Sequence, residues 1–267
     1  MTALNTTLSL AVVSGKGGVG KTNIALNLGF ALHELGHSLV LLDGDLGLAN
    51  LDVLLGISPE KNLQDLLGEA PLESVVVPLA QDFAFLPSAS GVAELVDLDD
   101  DVQSILLDKL DALFRQYHFL LLDLGAGISP TVLSFAARPQ ERIIVITPEP
   151  TSLTDSYALI KVLSAQHQTK NFQLIVNMSE SSREARTAFD RLAQACERFL
   201  SLPIRLLGVV HKDPMVMESV RHQVPLLKFA PSCRAAQDIR EIAAKIVERR
   251  ERLKDLIARS PILKPLC

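Results

Sequence analysis

The stretch Ser14-Gly15-Lys16-Gly17-Gly18-Val19-Gly20-Lys21-Thr22 decides the fold. It satisfies G-x-x-x-x-G-K-[ST] through Gly15, Gly20, Lys21 and Thr22. An apolar run, Leu8–Val13, precedes it and a helical pattern, Lys21–Leu35, follows, which is the strand–loop–helix setting the pattern requires. Glycines let the backbone wrap an anion so that successive N–H groups point inward, and the helix start adds the positive end of its dipole. The loop Gly15, Lys16, Gly17, Gly18, Val19, Gly20, Lys21, Thr22 and Asn23 is therefore the candidate cradle for a nucleotide. Lys21 is expected to reach the β- and γ-phosphates, and the Thr22 hydroxyl to ligate Mg²⁺.

Outward from this loop, strand-length apolar runs alternate with helical patterns. The strands expected are Leu8–Val13, Ser38–Leu42, Phe83–Leu86, Phe119–Leu122, Arg142–Thr147, Phe172–Val176 and Leu206–Val210. The helices expected are Lys21–Leu35, Val102–Phe114, Pro130–Ala137, Leu153–Gln166, Arg183–Phe199 and one from about Arg234 to Ala258. Several strands are continuous apolar runs, as expected of strands covered on both faces. The alternation predicts an α/β fold with a doubly wound, mostly parallel sheet flanked by helices. No repeat, low-complexity tract or linker interrupts it, so residues 1–267 are read as one domain, with 234–267 as a C-terminal helix and tail.

In parallel sheets ligands bind at the carboxyl ends of strands. Acidic residues stand at two such ends. Asp43 and Asp45 follow Leu41-Leu42, and Asp123 closes the run Phe119-Leu120-Leu121-Leu122, the pattern of an acid that holds Mg²⁺ through water. The loop after it, Leu124-Gly125-Ala126-Gly127, is suited to sensing a terminal phosphate. Asn177 ends the strand Phe172–Val176 and offers both a donor and an acceptor.

Lys16 is the informative departure, because an ordinary phosphate loop has no lysine there. Lys16-Gly17-Gly18-Val19-Gly20-Lys21-Thr22 resembles the deviant Walker A motif of the MinD/ParA ATPases, over roughly residues 8–245. The segments Asp43–Asp52, Asp123–Ser129 and Thr147–Lys161 resemble the flagellar regulators of the FlhG/FleN group within that family. The resemblance implies a P-loop NTPase fold of the SIMIBI type. It implies an ATPase that converts ATP to ADP and phosphate with Mg²⁺, slowly and as an ATP-dependent homodimer. Its catalytic residues would be Lys16, Lys21 and Asp45. Lys16 would cross to the partner's nucleotide, and Asp45 would orient the attacking water. Asp43 and Asp123 would lie with Thr22 at the metal. Asn177 would bond the adenine ring, with the segment Val210–Pro214 on the other side of the base, and Glu149 would face the partner's nucleotide. The implied role is control of flagellar number or site, with flagellar assembly or regulatory proteins as partners. The helix that precedes the first strand in FlhG relatives, and acts on the GTPase FlhF, is not expected here, since Leu8 already opens that strand.

Composition narrows the alternatives. With 26 Lys+Arg against 31 Asp+Glu the chain carries a net −5, which argues against coating nucleic acid by bulk charge, as a ParA-type partition ATPase would. Twelve aromatic residues and no Trp argue against a base-stacking surface for single strands. Cys196, Cys233 and Cys267 fit no metal or iron–sulfur spacing. An amide-forming synthetase of the same fold is disfavoured by Lys16, and a MinD-type role at the division site stays open. No signal peptide or membrane-spanning run is read, so a cytoplasmic location is expected. The segment 234–267 holds nine Lys+Arg against five Asp+Glu, and Ile239, Ile242, Ile246, Leu253, Leu256 and Ile257 form an apolar stripe. Two readings apply: a closing helix docked on the sheet, or a basic amphipathic contact with an anionic membrane at the inner face of the cell.

Overall fold

A computed structural model of the chain describes residues 4–45, 50–67, 70–87 and 109–264. Its elements run β1 (Leu8–Ser14), α1 (Lys21–Glu34), β2 (Leu39–Gly44), α2 (Leu51–Leu55), β3 (Val77–Ala80), β4 (Phe83–Leu86), α3 (109–114), β5 (Phe119–Ala126), α4 (Pro130–Ala137) and β6 (Glu141–Ile146). There follow α5 (Pro150–His167), β7 (Phe172–Ser179), α6 (Ser182–Leu200), β8 (Arg205–His211), α7 (Pro214–Arg221), α8 (Leu226–Phe229), α9 (Arg234–Arg252) and α10 (Lys254–Arg259). The strands form one eight-stranded sheet in the order β3-β4-β2-β5-β1-β6-β7-β8. All pairings are parallel except β3 with β4.

Strand alternation sends side chains to two cores. Ala11, Val13, Leu120, Leu122, Leu174 and Val176 pack under α3, α4, α5 and α6. Leu10, Val12, Leu39, Leu41, Phe119, Leu121 and Ile175 pack under α1, α8 and α9. The expected doubly wound sheet is thus the observed one. The short edge strand β3 was not expected, because Val77-Pro78-Leu79-Ala80 is half-buried and broken by proline. Helices α2, α7 and α8 were likewise missed; each is eight residues or fewer, shorter than the stretch over which a helical apolar pattern can be read. The predicted helix over 102–114 is described only at 109–114. The acidic run Asp97–Asp101, the switch residues Leu46–Ala49 and Cys267 lie outside the described residues.

The last predicted helix breaks at Leu253 into α9 and α10. Its apolar stripe is docked on the sheet: Ile239, Ile242, Ile246 and Ile257 are buried. Arg249 reaches back to the buried Glu141 with two contacts of 2.7 Å. Arg250 donates to the carbonyls of Thr6 and His118. Beyond α10 the chain tucks under the amino ends of the strands, with Ile262 buried and Asn5 Nδ2 donating to the carbonyls of Ile257 and Ser260. Over residues 234–264 the closing-helix reading therefore describes the packing, with Leu253 half-buried and Leu256 exposed. Among the described residues, no helix is long and apolar enough to cross a membrane.

Candidate functional site

The same alternation builds the site. Residues 39 and 41 of β2, 119 and 121 of β5, and 175 of β7 face α1, so Asp43, Asp123 and Asn177 face that side too. Each sits at the carboxyl end of its strand, where α1 begins with Lys21. Asp43 and Asp123 are direct partners across the β2–β5 pair. Three acids and amides that are far apart in sequence thus converge beside the phosphate loop.

Lys21 is buried, and its Nζ lies 2.8 Å from Asp123 Oδ1 and 3.4 Å from Thr22 Oγ1. Asp123 Oδ2 is buried with no hydrogen-bond partner. Burial pushes the Asp123 carboxyl up, with Lys21 opposing it. Asp43 is 1% exposed, and burial drives its carboxyl up to about 7. The Asp45 and Leu51 amides donate to its two oxygens at 3.1 and 3.4 Å. An orphaned buried carboxylate oxygen, a second acid held near neutrality, and a lysine and threonine at a helix start form a donor set suited to a hard divalent cation with phosphate. Asp45 stands at the mouth, its Oδ1 3.3 Å from where a Cβ on Gly125 would sit.

Gly15 and Gly20 are fixed by their neighbours. A Cβ on Gly15 would sit 2.2 Å from the Asp155 carbonyl carbon, so the loop lies directly on the backbone of α5. Gly20 has φ +82°, and a Cβ there would meet Asn177 Nδ2 at 2.5 Å. That amide donates to the Val19 carbonyl at 2.8 Å, so Asn177 is tied to the loop. On the far side of Asn177 opens an apolar pocket of about 360 Å³, whose lining includes Asn23, Asn177, Met178, His211, Lys212 and Asp213. This brings the expected base-side segment opposite Asn177. Gly17 and Gly18 are exposed at the loop tip, and Val19 is buried.

Lys16 is directed elsewhere. Its Nζ contacts Glu149 Oε2 at 2.7 Å and Thr151 Oγ1 at 3.0 Å, both at the start of α5 and both at the rim. The two lysines of the loop therefore have separate destinations, one inside the cradle and one outside it. Thr151, Met178 and Asp238 escaped the sequence reading. Asp238 alone left a signal: a carboxylate on the apolar stripe of α9, between Ala235 and Ile239.

A parallel sheet with a phosphate loop and acids at adjoining strand ends defines a P-loop nucleotide hydrolase. Comparison with known proteins refines this. A family model for ParA, described as NUBPL iron-transfer P-loop NTPase, matches residues 5–247. The chain is 37% identical to the antiactivator FleN of Pseudomonas aeruginosa, over 89% of this chain and 85% of that protein. It is 34% identical to the flagellum site-determining protein YlxH of Helicobacter pylori, over 91% and 82%. The septum site-determining protein MinD of Pyrococcus horikoshii, solved with Mg-ADP, superposes with a TM-score of 0.71 at 28% identity, covering 90% of this chain and 96% of that one. The chain belongs to the ParA family of P-loop NTPases, as an ATPase of the branch that holds FleN and MinD.

Proposed function

We propose that the chain is a Mg-ATP-dependent switch: two copies pair face to face around bound ATP, and slow hydrolysis to ADP and phosphate separates them. The observation that carries this reading is the position of Lys16, a cation of the phosphate loop held at the rim rather than in the cradle. From there it is free to neutralise phosphate charge on a partner's nucleotide. The exposed side chains of Val53, in the helix after β2, and Ile128, in the loop after β5, supply apolar surface near the carboxyl ends of those strands for a second copy.

In this reading Lys21 and the loop amides hold the phosphates. Thr22, Asp43 and Asp123 would hold Mg²⁺, which when bound would supply charge neutralisation at the terminal phosphate. Asp45 orients the attacking water, and Asn177 reads the adenine edge. Glu149, which holds Lys16 within one chain, is the residue it must leave to cross.

The regulated process is assigned from the relatives. Proteins named for flagellar antiactivation and flagellum site determination match at 37% and 34% identity, and the net −5 charge disfavours a chromosome-partition role on DNA. We assign the switch to the cytoplasm, with flagellar assembly or regulatory proteins as partners. Contact with an anionic membrane through 234–267 requires α10 and the segment after it to undock, because Ile257 and Ile262 are buried.

The test is genetic and biochemical together. Deleting the gene in its own cells should change the number or placement of flagella, and a Lys16→Ala allele should fail to restore them. Specific ATPase activity of the pure protein should rise with protein concentration. Unchanged flagella with a cell-division defect instead would redirect the role to the division site.

A further inference from the structure

The base-side wall of the pocket is a loop, His211-Lys212-Asp213, and its anchorage is unusual. Four of its attachments come from the first turns of α9. Asp238, 3% exposed, takes the His211 backbone N–H at 2.9 Å and contacts His211 Nδ1 at 2.8 Å, both through Oδ2. Its Oδ1 lies 3.0 Å from Arg234 Nε, which also approaches His211 Nδ1 at 3.4 Å. Asp213 takes the Ala235 N–H at 3.2 Å while also capping α7 through the Met215 N–H. On the outer side, Ser182 Oγ lies 3.2 Å from His211 Nε2.

Of the two groups at Nδ1, the buried Asp238 carboxylate at 2.8 Å is far nearer than Arg234 Nε at 3.4 Å, and an acceptor so close calls for a proton on that nitrogen. In a neutral imidazole, Nε2 is then the acceptor, which suits the Ser182 hydroxyl as donor. Asp238 thus fixes three things at once: the path of the loop, the orientation of the ring and its tautomer. The ring lines the pocket; the acid does not touch it.

We propose that Asp238 is a positioning residue for the nucleotide: acting through His211 from the C-terminal helix, it presets the wall against which the base is held. This rests on the reading of the pocket as the base site of a nucleotide. Preorganised supports of this kind typically set affinity through a group they never leave. A consequence is that nucleotide affinity depends on the first turns of α9, a part of the chain that contributes nothing to the phosphate cradle.

The test combines calorimetry of Mg-ADP binding with long-range ¹H–¹⁵N spectra of the six histidines at pH 8, the His211 signal being assigned by its loss in His211→Gln. Wild type should show His211 protonated at Nδ1. Asp238→Asn should lose that signature and bind Mg-ADP about tenfold more weakly or worse, the loss expected for a charged hydrogen bond. Arg249→Gln, eleven residues and about 16 Å further along the same helix, should melt earlier than wild type yet keep both the tautomer and the affinity. Loss of affinity in Arg249→Gln equal to that in Asp238→Asn would mean α9 acts only by stabilising the fold, and would overturn the proposal. So would an Nε2-protonated His211 in wild type, or unchanged Mg-ADP affinity in Asp238→Asn. A wild-type protein that binds no Mg-ADP would instead bring down the nucleotide reading itself, and the proposal with it.

Discussion

Glu149→Gln should make ATP-driven pairing tighter, and the size of the effect follows from the geometry at the rim. Lys16 Nζ is 2.7 Å from Glu149 Oε2, with side chains 37% and 61% exposed. An exposed pair of this kind contributes about 0.5–1 kcal/mol. Lys16 must leave it to reach a partner, and a symmetric dimer breaks two. Removing the charge should therefore favour the dimer by about 1–2 kcal/mol, or roughly 5- to 30-fold in its dissociation constant. The gain should shrink as salt rises, because the pair is exposed and already screened at about 0.15 M. The assay is sedimentation with ATP in an Asp45→Ala background, which keeps hydrolysis from dissolving the complex, with Thr151→Val as a second way to loosen Lys16. The family resemblance gives Glu149 the opposite task, facing the partner's nucleotide. A weaker dimer in Glu149→Gln would refute the reasoning and restore that role.

Other consequences can be measured on the isolated chain. Arg249→Gln strips the buried Glu141 of its bidentate partner and should cost about 3 kcal/mol in thermal or urea denaturation. Gly15→Ala puts a Cβ 2.2 Å from the backbone of α5; it should lose about 2–3 kcal/mol of stability together with nucleotide binding, whereas a wild-type melting curve would show that the helix can yield. The Mg²⁺-free protein should lose stability as pH rises from about 4 to 7. Asp43 has an ordinary value of 3.8 and a folded value of about 7, so in that window the unfolded chain releases a proton that the folded chain retains. The contribution amounts to about 4 kcal/mol, and Asp43→Asn should flatten the profile by that amount.

Much of the site was legible because its chemistry sits at strand ends. The loop Gly15–Thr22, the acid closing Phe119–Leu122 and the amide closing Phe172–Val176 each follow a continuous apolar run, so strand position and motif agreed. The alternation that turns Asp43, Asp123 and Asn177 to one face is equally a property of the chain. The destinations of long side chains were not legible. Nothing local tells that Lys16 meets Glu149 across 133 residues, or that Arg249 turns inward to Glu141 instead of outward to solvent. The C-terminal stripe shows the same limit: a basic amphipathic pattern looks alike whether its apolar face meets a sheet or a membrane, and only the packing of Ile239, Ile242 and Ile246 decides.

The central claim is that ATP brings two copies together through Lys16. Sedimentation equilibrium of Asp45→Ala with Mg-ATP, beside the same protein with Mg-ADP, tests it most directly. The account predicts a dimer with ATP, a monomer with ADP, and a monomer in both when Lys16→Ala is added while ATP binding persists. A monomer under every condition, or a dimer indifferent to Lys16, would contradict it.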